Sequence, residues 1–284
     1  MGLRLTRALG LAVVALAVLA ACAEAATVRS GPVRYVTASG PAPANSQWEV
    51  EATCPDNTAL AAGAGSVGGT TDAAYFSIFG PRFELGGDSE FHVGGFNDAA
   101  TSRPAKSVAI CLARGAANVV AQGESDPIML ETFNSSTPCA PASRVIGGGV
   151  EFTGDPRDNA ITSYGPDLSH ERFAFGGIQE GGYDPVYRSA ICLENDDPRR
   201  LRYPANKKNN VPLDKLVRIK AKCPKRSWVV GGGLGTLGVA ALKSSRPADG
   251  PDRDRKRDDA WRGALVPIDS RVVGITAVCL KRPR

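Results

Sequence analysis

The stretch Val145-Ile146-Gly147-Gly148-Gly149 follows soon after Cys139, and the stretch Ala190-Ile191-Cys192-Leu193 follows far downstream. Two other segments of the chain repeat this order of a cysteine, a glycine-rich run and an apolar run around a second cysteine. They are Cys54 with Ala61-Ala62-Gly63-Ala64-Gly65 and Ala109-Ile110-Cys111-Leu112, and Cys223 with Val229-Val230-Gly231-Gly232-Gly233 and Ala277-Val278-Cys279-Leu280. Internal repetition of this kind is the signature of a repeat architecture. The sequence therefore predicts three copies of one structural unit.

The units are predicted to consist of β-strands. Residues 48–53 alternate between apolar and polar side chains, which is typical of a half-buried strand. Residues 75–79 form a second strand-like run, which Gly80-Pro81 ends. The chain has 32 glycines and 20 prolines, a composition that favours many short strands and turns over helices. The predicted fold class is therefore all-β, with three pseudo-equivalent repeats.

The recurring glycines indicate how the repeats pack. A glycine inside a strand permits a bulge, a sharp bend or the close approach of another backbone. Because equivalent glycines recur in the repeats, we expect three sheets to approach a common axis as a single threefold β-prism. The alternative is three small β modules in series, each stabilised chiefly by its own disulfide. Residues 233–238 also match the phosphate-binding pattern G-x-G-x-x-G, but that motif needs a following helix, which the sequence does not predict.

The predicted domain organisation places the repeats between polar segments. The segment between repeats two and three is the most polar and is the best candidate for a flexible joint. The segment before repeat one has Pro/Gly-rich ends typical of a tether, and residues 33–37 within it alternate like an edge strand. The predicted units are a signal peptide (1–21), a tether (22–47), β repeat one (48–114), a linker with β repeat two (115–193), a polar linker (194–214) and β repeat three (215–284).

The first residues have the features of an export signal. Two arginines precede an apolar run over residues 9–21, which is too short to anchor a protein across a bilayer. Leu19-Ala20-Ala21-Cys22 resembles a bacterial lipobox, so we expect a lipoprotein that is anchored to the membrane through Cys22. The alternative is cleavage after Ala23-Glu24-Ala25, which would leave a soluble secreted protein.

The cysteines are predicted to form disulfides within the repeats. Six of the seven cysteines belong to the repeats, which leaves Cys22 as the odd one. Export to an oxidising compartment makes disulfides the expected state, and the repeat symmetry selects one pair per repeat. The predicted bonds are Cys54–Cys111, Cys139–Cys192 and Cys223–Cys279. No C-x-x-C pair or histidine cluster is present in the sequence, so no metal ligand is predicted.

No catalytic, cofactor-binding or nucleic-acid-binding site is predicted. The net charge of +5 comes from interspersed basic and acidic residues, which is too weak a bias for nucleic acid. His92 takes a position that is filled by Ala174 and Arg262 in the other repeats, and His170 lies in a polar turn, so neither is expected to act as a base. Ser66 lies in a run that resembles a nucleophile elbow, but that elbow needs a strand followed by a helix.

The expected function is binding. Loops carry the binding sites of many scaffolds, and the loops here differ most between repeats at residues 155–159, 183–187 and 251–259. We therefore expect a non-catalytic cell-surface protein that binds cell-wall glycan or a surface protein, with the aromatic residues Tyr183, Tyr187 and Trp261 as ligand contacts. The alternatives are an exported hydrolase and a purely structural envelope protein.

Two resemblances add to these expectations. The pattern Cys-Pro…Gly-Gly-Gly…Ser…Pro…Trp…Ala-x-Cys, clearest from Cys223 to Cys279, resembles a repeat of uncharacterised exported proteins of high-GC bacteria and covers most of the mature chain. The three glycine-marked, cysteine-closed repeats are more weakly similar to the β-prism of vitelline membrane outer layer protein I, whose repeats also follow Cys-Pro with a glycine. This second resemblance implies a threefold β-prism. No functional residue is carried over from either family.

Overall fold

A computed structural model describes most of the chain after residue 25. Cys22 and Tyr183 lie outside the described residues. Within them, no helix is long and apolar enough to cross a membrane. The regular structure that they contain is strand, which confirms the all-β prediction. The described ranges are 26–71, 73–82, 90–116, 118–127, 132–180, 185–194, 200–248 and 258–282.

The strands are short and are connected by turns. In chain order they are β1 (Ala26–Ser30), β2 (Val33–Ala42), β3 (Ser46–Thr53), β4 (Thr58–Val67), β5 (Ala74–Arg82), β6 (Glu90–Asn97), β7 (Arg103–Ala113), β8 (Asn118–Pro127), β9 (Thr132–Pro138), β10 (Arg144–Phe152), β11 (Asn159–Pro166), β12 (Arg172–Gln179), β13 (Pro185–Glu194), β14 (Leu201–Arg202), β15 (Ala205–Lys208), β16 (Val217–Lys222), β17 (Ser227–Thr236), β18 (Ala240–Ala248), β19 (Ala260–Pro267) and β20 (Val273–Lys281).

These strands form three sheets, and each sheet takes strands from two repeats. Sheet A has the order β1-β2-β7-β4-β18-β19-β16, sheet B the order β3-β6-β5-β10-β13-β8, and sheet C the order β14-β20-β17-β11-β12-β9, with β15 also on β20. The pairing of β18 with β4 joins repeat three back to repeat one. The sheets therefore close into a ring, which is the arrangement of a threefold prism. Modules in series would instead keep the strands of each repeat in a sheet of their own.

Each glycine-rich run contains a triplet at the same place in its repeat, namely Ala62-Gly63-Ala64, Gly147-Gly148-Gly149 and Gly231-Gly232-Gly233. The first residues of the three triplets lie close together where the repeats meet. A Cβ atom added to Gly147 would lie 2.6 Å from the Cβ atom of Ala62, and one added to Gly231 would overlap the carbonyl oxygen of Ile146. Each of the three strands also shifts register at this point, as a β-bulge does. The close approach of backbones that the repeated glycines predict is therefore confirmed.

The second triplet position makes room for one large aromatic ring in each repeat. A Cβ atom added at this position would collide with the ring, and the three pairs are Gly63 with Phe91, Gly148 with Phe173, and Gly232 with Trp261. Trp261 is fully buried, and its indole Nε1 donates a hydrogen bond of 2.7 Å to Ser245 Oγ. The prediction that Trp261 contacts a ligand is therefore wrong, because this position belongs to the core in every repeat.

The predicted disulfides are present and tie neighbouring sheets together. They are Cys54–Cys111, Cys139–Cys192 and Cys223–Cys279. The first cysteine of each pair follows a strand of one sheet, and the second lies within a strand of the next sheet. Since the bonds close loops of 53 to 57 residues, each contributes roughly 4 kcal/mol in the chain-entropy account.

Two segments that were predicted to be polar connections contain strands. In the predicted tether, β2 pairs along β7 and Val33 is fully buried; in the predicted polar linker, β14 and β15 pair with β20 and Leu201 is buried. In repeat two, strand β8 likewise pairs along β13. A sheet edge exposes unpaired backbone groups. The strand that carries the second cysteine of each repeat is therefore paired with a strand that precedes the repeat. This corrects the prediction of a flexible joint at residues 194–214, whereas the strand predicted at residues 33–37 is present, although β1 rather than β2 forms the edge.

Candidate functional site

The outer face of sheet B carries a concentration of charged side chains. Successive side chains of a strand point to opposite faces of the sheet. On β6, Phe91 is buried in the core, so the flanking Glu90 and His92 point away from it. On the adjacent strand β3, the same alternation directs Glu49 and Glu51 outward. We call Glu49, Glu51, Glu90 and His92 the histidine cluster.

His92 is held between the three glutamates of this cluster. Its Nδ1 atom contacts the carboxylate of Glu49, and its Nε2 atom lies 3.3 Å from Oε2 of Glu51 and 3.7 Å from Oε2 of Glu90. Only 5% of the imidazole side chain is exposed. The residue paired with His92 on β5 is Gly80, which places no side chain beside the ring. The register of β3, β6 and β5 thus builds the cluster.

Negative charge is crowded in this part of sheet B. The hydrogen bond with His92 lowers the pKa of Glu49, whereas burial and then the neighbouring Glu90 raise the pKa of Glu51. Burial acts to lower the pKa of His92, but the hydrogen bond with Glu49 and the charge of Glu51 outweigh it, so the net shift is upward. Burial also raises the pKa of Glu151, which lies nearby on β10.

A groove of about 670 Å³, which we call the sheet B groove, crosses β5, β10, β13 and β8 beside the cluster. Its floor includes Gly80 and Gly149. A Cβ atom added to Gly80 would lie 3.2 Å from Cα of Gly149, so the close packing of two repeats keeps this floor free of side chains. Arg82 and Glu151 line both the groove and a smaller cavity of about 60 Å³ that reaches the histidine cluster.

Tyr187 is the predicted ligand residue that lies in this groove. It belongs to β13, directly opposite Glu151 of β10, and 52% of the residue is exposed. The sequence places it in a variable loop, but β13 already begins at Pro185. Of the other two predicted aromatics, Tyr183 lies outside the described residues and Trp261 is in the core. The structure therefore supports one of the three predicted contacts as a surface residue.

The glutamates of the histidine cluster are functional candidates that the sequence analysis missed. A signal for them exists in the sequence, since Glu49 and Glu51 alternate with apolar residues on one strand, and Glu90 and His92 do so on another. Both pairs must face away from the core. That the two strands are neighbours in register, with Glu51 opposite His92, becomes known only from the fold.

The corresponding groove on sheet C has a different chemistry. Its volume is about 700 Å³, and Gly165 and Gly233 again form part of the lining. Leu168 and Leu237, which also line it, are 99% and 85% exposed. A third groove, of about 330 Å³ on sheet A, is lined by residues that include Ser66, Lys106 and Arg246. Three similar depressions thus recur around the prism with different side chains.

The residues considered for catalysis are not brought together as a base and a nucleophile. Ser66 lines the groove on sheet A. The imidazole of His170 stacks on Tyr203 with 3.8 Å between the ring centroids, and burial lowers its pKa. Within the described residues, neither His92 nor His170 has a serine, threonine or cysteine side chain as a hydrogen-bond partner.

Comparison with known proteins gives no match, either to a protein-family model or to a curated protein. The observations that bear on function are therefore those of the sheet B face itself. They are a floor without side chains, an exposed tyrosine ring and a surplus of carboxylates. Such a surface is suited to a polar ligand with flat apolar faces.

Proposed function

We propose that the protein is an exported, non-catalytic cell-surface protein that binds a neutral glycan in the sheet B groove. The observation that carries the proposal is the exposed ring of Tyr187, which stands opposite Glu151 in a groove with a glycine floor. A protein partner is the less favoured alternative, because the core of a protein–protein interface is typically apolar and poor in charged residues. The rim of this groove is charged.

The geometry of the groove suits sugar rings. The face of an aromatic ring is negative, and it attracts the weakly positive C–H groups on the face of a pyranose. Tyr187 offers such a ring together with a hydroxyl group. The floor at Gly80 and Gly149 allows a ligand to approach the backbone closely. A volume of about 670 Å³ also lies within the usual range for small-ligand pockets.

The charges around the groove favour a neutral glycan over an acidic one. The histidine cluster and Glu151 supply four carboxylates, against the cations of Arg82, Arg188 and, when protonated, His92. Carboxylates accept hydrogen bonds from sugar hydroxyl groups, and a guanidinium group donates them. A glycan that carries carboxylate or sulfate groups would be repelled by the excess negative charge.

Calorimetric titration with tetra-N-acetylchitotetraose, a neutral glycan that is called chitotetraose from here on, tests this proposal. We expect saturable binding that Tyr187→Ala weakens at least about tenfold, as loss of an aromatic contact at the centre of a site does. Leu237→Ala is the matched control, because it removes an exposed side chain from the equivalent groove of sheet C and should leave the affinity unchanged. Equal losses in both variants would contradict the proposal. Absence of saturable binding would instead favour a structural envelope role, and release of reducing ends would indicate a hydrolase.

The proposed location is the outer face of a bacterial cell membrane, with Cys22 as the lipid attachment site. Three disulfides are typical of extracytoplasmic proteins. The lipobox-like run that ends at Cys22 supports anchoring rather than free secretion. Cys22→Ala is expected to release the protein or leave it unprocessed. A mature N-terminus at Ala26, measured by intact-mass spectrometry, would contradict anchoring and indicate a soluble secreted protein.

A further inference from the structure

The histidine cluster has a feature that glycan binding does not explain. The Nε2 atom of His92 is buried and has no hydrogen-bond partner within the described residues. It is directed at the carboxylates of Glu51 and Glu90. We propose that Glu51, Glu90 and His92 bind one divalent transition-metal cation, with a preference for Zn²⁺. This inference does not depend on the proposed glycan site, and it revises the expectation from sequence that no metal ligand is present.

The distances in the cluster fit a small metal site. The Nε2 atom of His92 lies 3.3 Å from Oε2 of Glu51 and 3.7 Å from Oε2 of Glu90. Ligand atoms of all three residues lie within 4.8 Å of one another. Nitrogen and oxygen ligands about 2.1 Å from Zn²⁺ in a tetrahedron are about 3.4 Å apart. The side chains therefore need little movement to hold an ion, and the fourth position is left to water.

Glu49 supports the orientation of the imidazole that such a site requires. Its carboxylate contacts Nδ1 of His92, on the side of the ring away from Glu51. Histidines that bind metals through one ring nitrogen usually donate the other N–H to a carboxylate or carbonyl group, which fixes the tautomer. When the ion is bound, a neutral ring that donates its Nδ1–H to Glu49 presents its unprotonated Nε2 to the ion.

The groups that surround the imidazole carry more negative than positive charge, which favours the binding of a cation. The facing groups are Glu49 and Glu51 on β3, Glu90 on β6, Arg82 on β5 and Glu151 on β10. Arg82 Nη1 is 3.8 Å from Oε2 of Glu51, which is also the oxygen that lies near His92 Nε2. This one guanidinium group balances only part of the negative charge of the four carboxylates. The side chains of Glu49 and Glu51 are 48% and 36% exposed, so an ion can reach them from solvent.

The ligand set selects against the common hard cations, and it occurs once among the residues that the structure describes. Ca²⁺ prefers six to eight oxygen ligands, and Mg²⁺ prefers an octahedral set of oxygens, whereas an imidazole with two carboxylates suits Zn²⁺. The counterparts of His92 are Ala174 on sheet C and Arg262 on sheet A, as their pairing with Gly165 and Arg246 shows. We therefore expect one ion per chain.

Calorimetric titration of ZnCl₂ into the full mature chain, with its disulfides intact and after treatment with a chelator, tests the inference. We expect saturable binding of one Zn²⁺ per chain, and no saturable heat with Ca²⁺ or Mg²⁺. Glu90→Gln keeps the size of the side chain and removes its charge, and it should weaken binding at least about tenfold, as should His92→Asn. Co²⁺ bound in place of Zn²⁺ should give visible absorption bands typical of a four-coordinate site.

The matched control is His170→Asn, which alters the other histidine of the chain and should leave Zn²⁺ binding unchanged. If His92→Asn does not fold, the Zn²⁺ affinity of Glu90→Gln still tests whether the ion binds at the histidine cluster. Unaltered affinity in Glu90→Gln and His92→Asn would overturn the inference and place the ion elsewhere. Absence of saturable Zn²⁺ binding would also overturn it, and His92 would then be an imidazolium that is held only by ion pairs.

Discussion

The outer faces of sheets B and C take equivalent places in the prism but have opposite chemistry. On sheet B, His92 is surrounded by glutamates, and the adjacent groove exposes Tyr187. On sheet C, the position of His92 is filled by Ala174, and the groove exposes Leu168 and Leu237. Both grooves have a glycine floor at the junction between two repeats. The difference therefore lies entirely in side chains that the repeats do not share.

The repeated residues and the unrepeated residues have different roles, the first in packing and the second in binding. The repeated residues build the frame: the triplets allow close packing between repeats, and the second triplet position accommodates an aromatic ring. The unrepeated residues, such as His92 and Tyr187, stand on the outer face and are not needed for that packing. Substitutions in the two classes should therefore have separable effects on stability and on binding.

Trp261→Ala should have the largest effect on stability. The ring is fully buried and fills the space over Gly232, so its loss should reduce the free energy of unfolding by about 3–5 kcal/mol. Tyr187→Ala should change it by no more than about 0.5 kcal/mol, because 52% of the residue is exposed and it lies outside the core. Urea denaturation of both variants measures the contrast. Similar losses in the two variants would show that the division between frame and site is wrong.

Gly231→Ala should destabilise the protein by about 2–3 kcal/mol, since the added methyl group would overlap the carbonyl oxygen of Ile146 and force the strands apart. Repeat one already has alanine at the equivalent position, so Ala62→Gly should cost only about 1 kcal/mol through backbone entropy. Thermal unfolding of both variants gives the comparison. A stable Gly231→Ala protein would mean that the repeats do not pack as closely at this point as described.

Glu151→Gln should weaken the binding of chitotetraose about fivefold, because the groove loses one charged acceptor of hydrogen bonds. The counterpart of Glu151 on sheet C is Gly235, so this contact distinguishes the two grooves. Glu171→Gln serves as the control, since Glu171 forms an ion pair with Arg144 in a turn that does not line the groove. The calorimetric affinities of the two variants should therefore differ, and equal affinities would count against a role for Glu151.

The smallest expected effect concerns His170, which stacks on Tyr203. Burial lowers its pKa below 6.5, so the protonated ring is less favourable in the folded chain than in the unfolded chain. Its contribution to stability is then present above pH 6.5 and decreases as the pH falls below that value. Proton NMR should give His170 a pKa below 6.5. A normal or raised value would mean that the ring does not stack in solution.

The frame could be predicted from the sequence because each of its requirements occurs in several copies. The cysteine pairs and glycine triplets hold fixed positions relative to one another, so the disulfides and the close approach of the repeats follow from comparison of the repeats alone. Strands β14 and β15 were missed because they have no such landmark, whereas the alternation of residues 33–37 predicted part of β2. These strands form because the closing strands β7 and β20 would otherwise leave a sheet edge unpaired.

The site could be predicted only in part, because it depends on register between strands. Tyr187 was found as an aromatic residue in a variable segment, and the same reasoning wrongly selected Trp261, whose counterparts Phe91 and Phe173 are also buried. The histidine cluster requires that Glu51 be paired with His92, and the groove requires that β5 and β10 of different repeats be adjacent. The first relation depends on how two strands of repeat one pair, and the second lies between two repeats, so neither follows from comparison of the repeats alone.

Chemical-shift mapping tests most directly the claim that the outer face of sheet B is the binding face. Chitotetraose is titrated into ¹⁵N-labelled protein, and the amide signals of the two equivalent grooves are followed together. If the glycan binds on sheet B, saturable shifts are expected at Gly80, Gly149 and Tyr187, and none at Gly233 and Leu237. Shifts at the sheet C residues that equal or exceed those on sheet B would contradict this claim, as would the absence of any saturable shift.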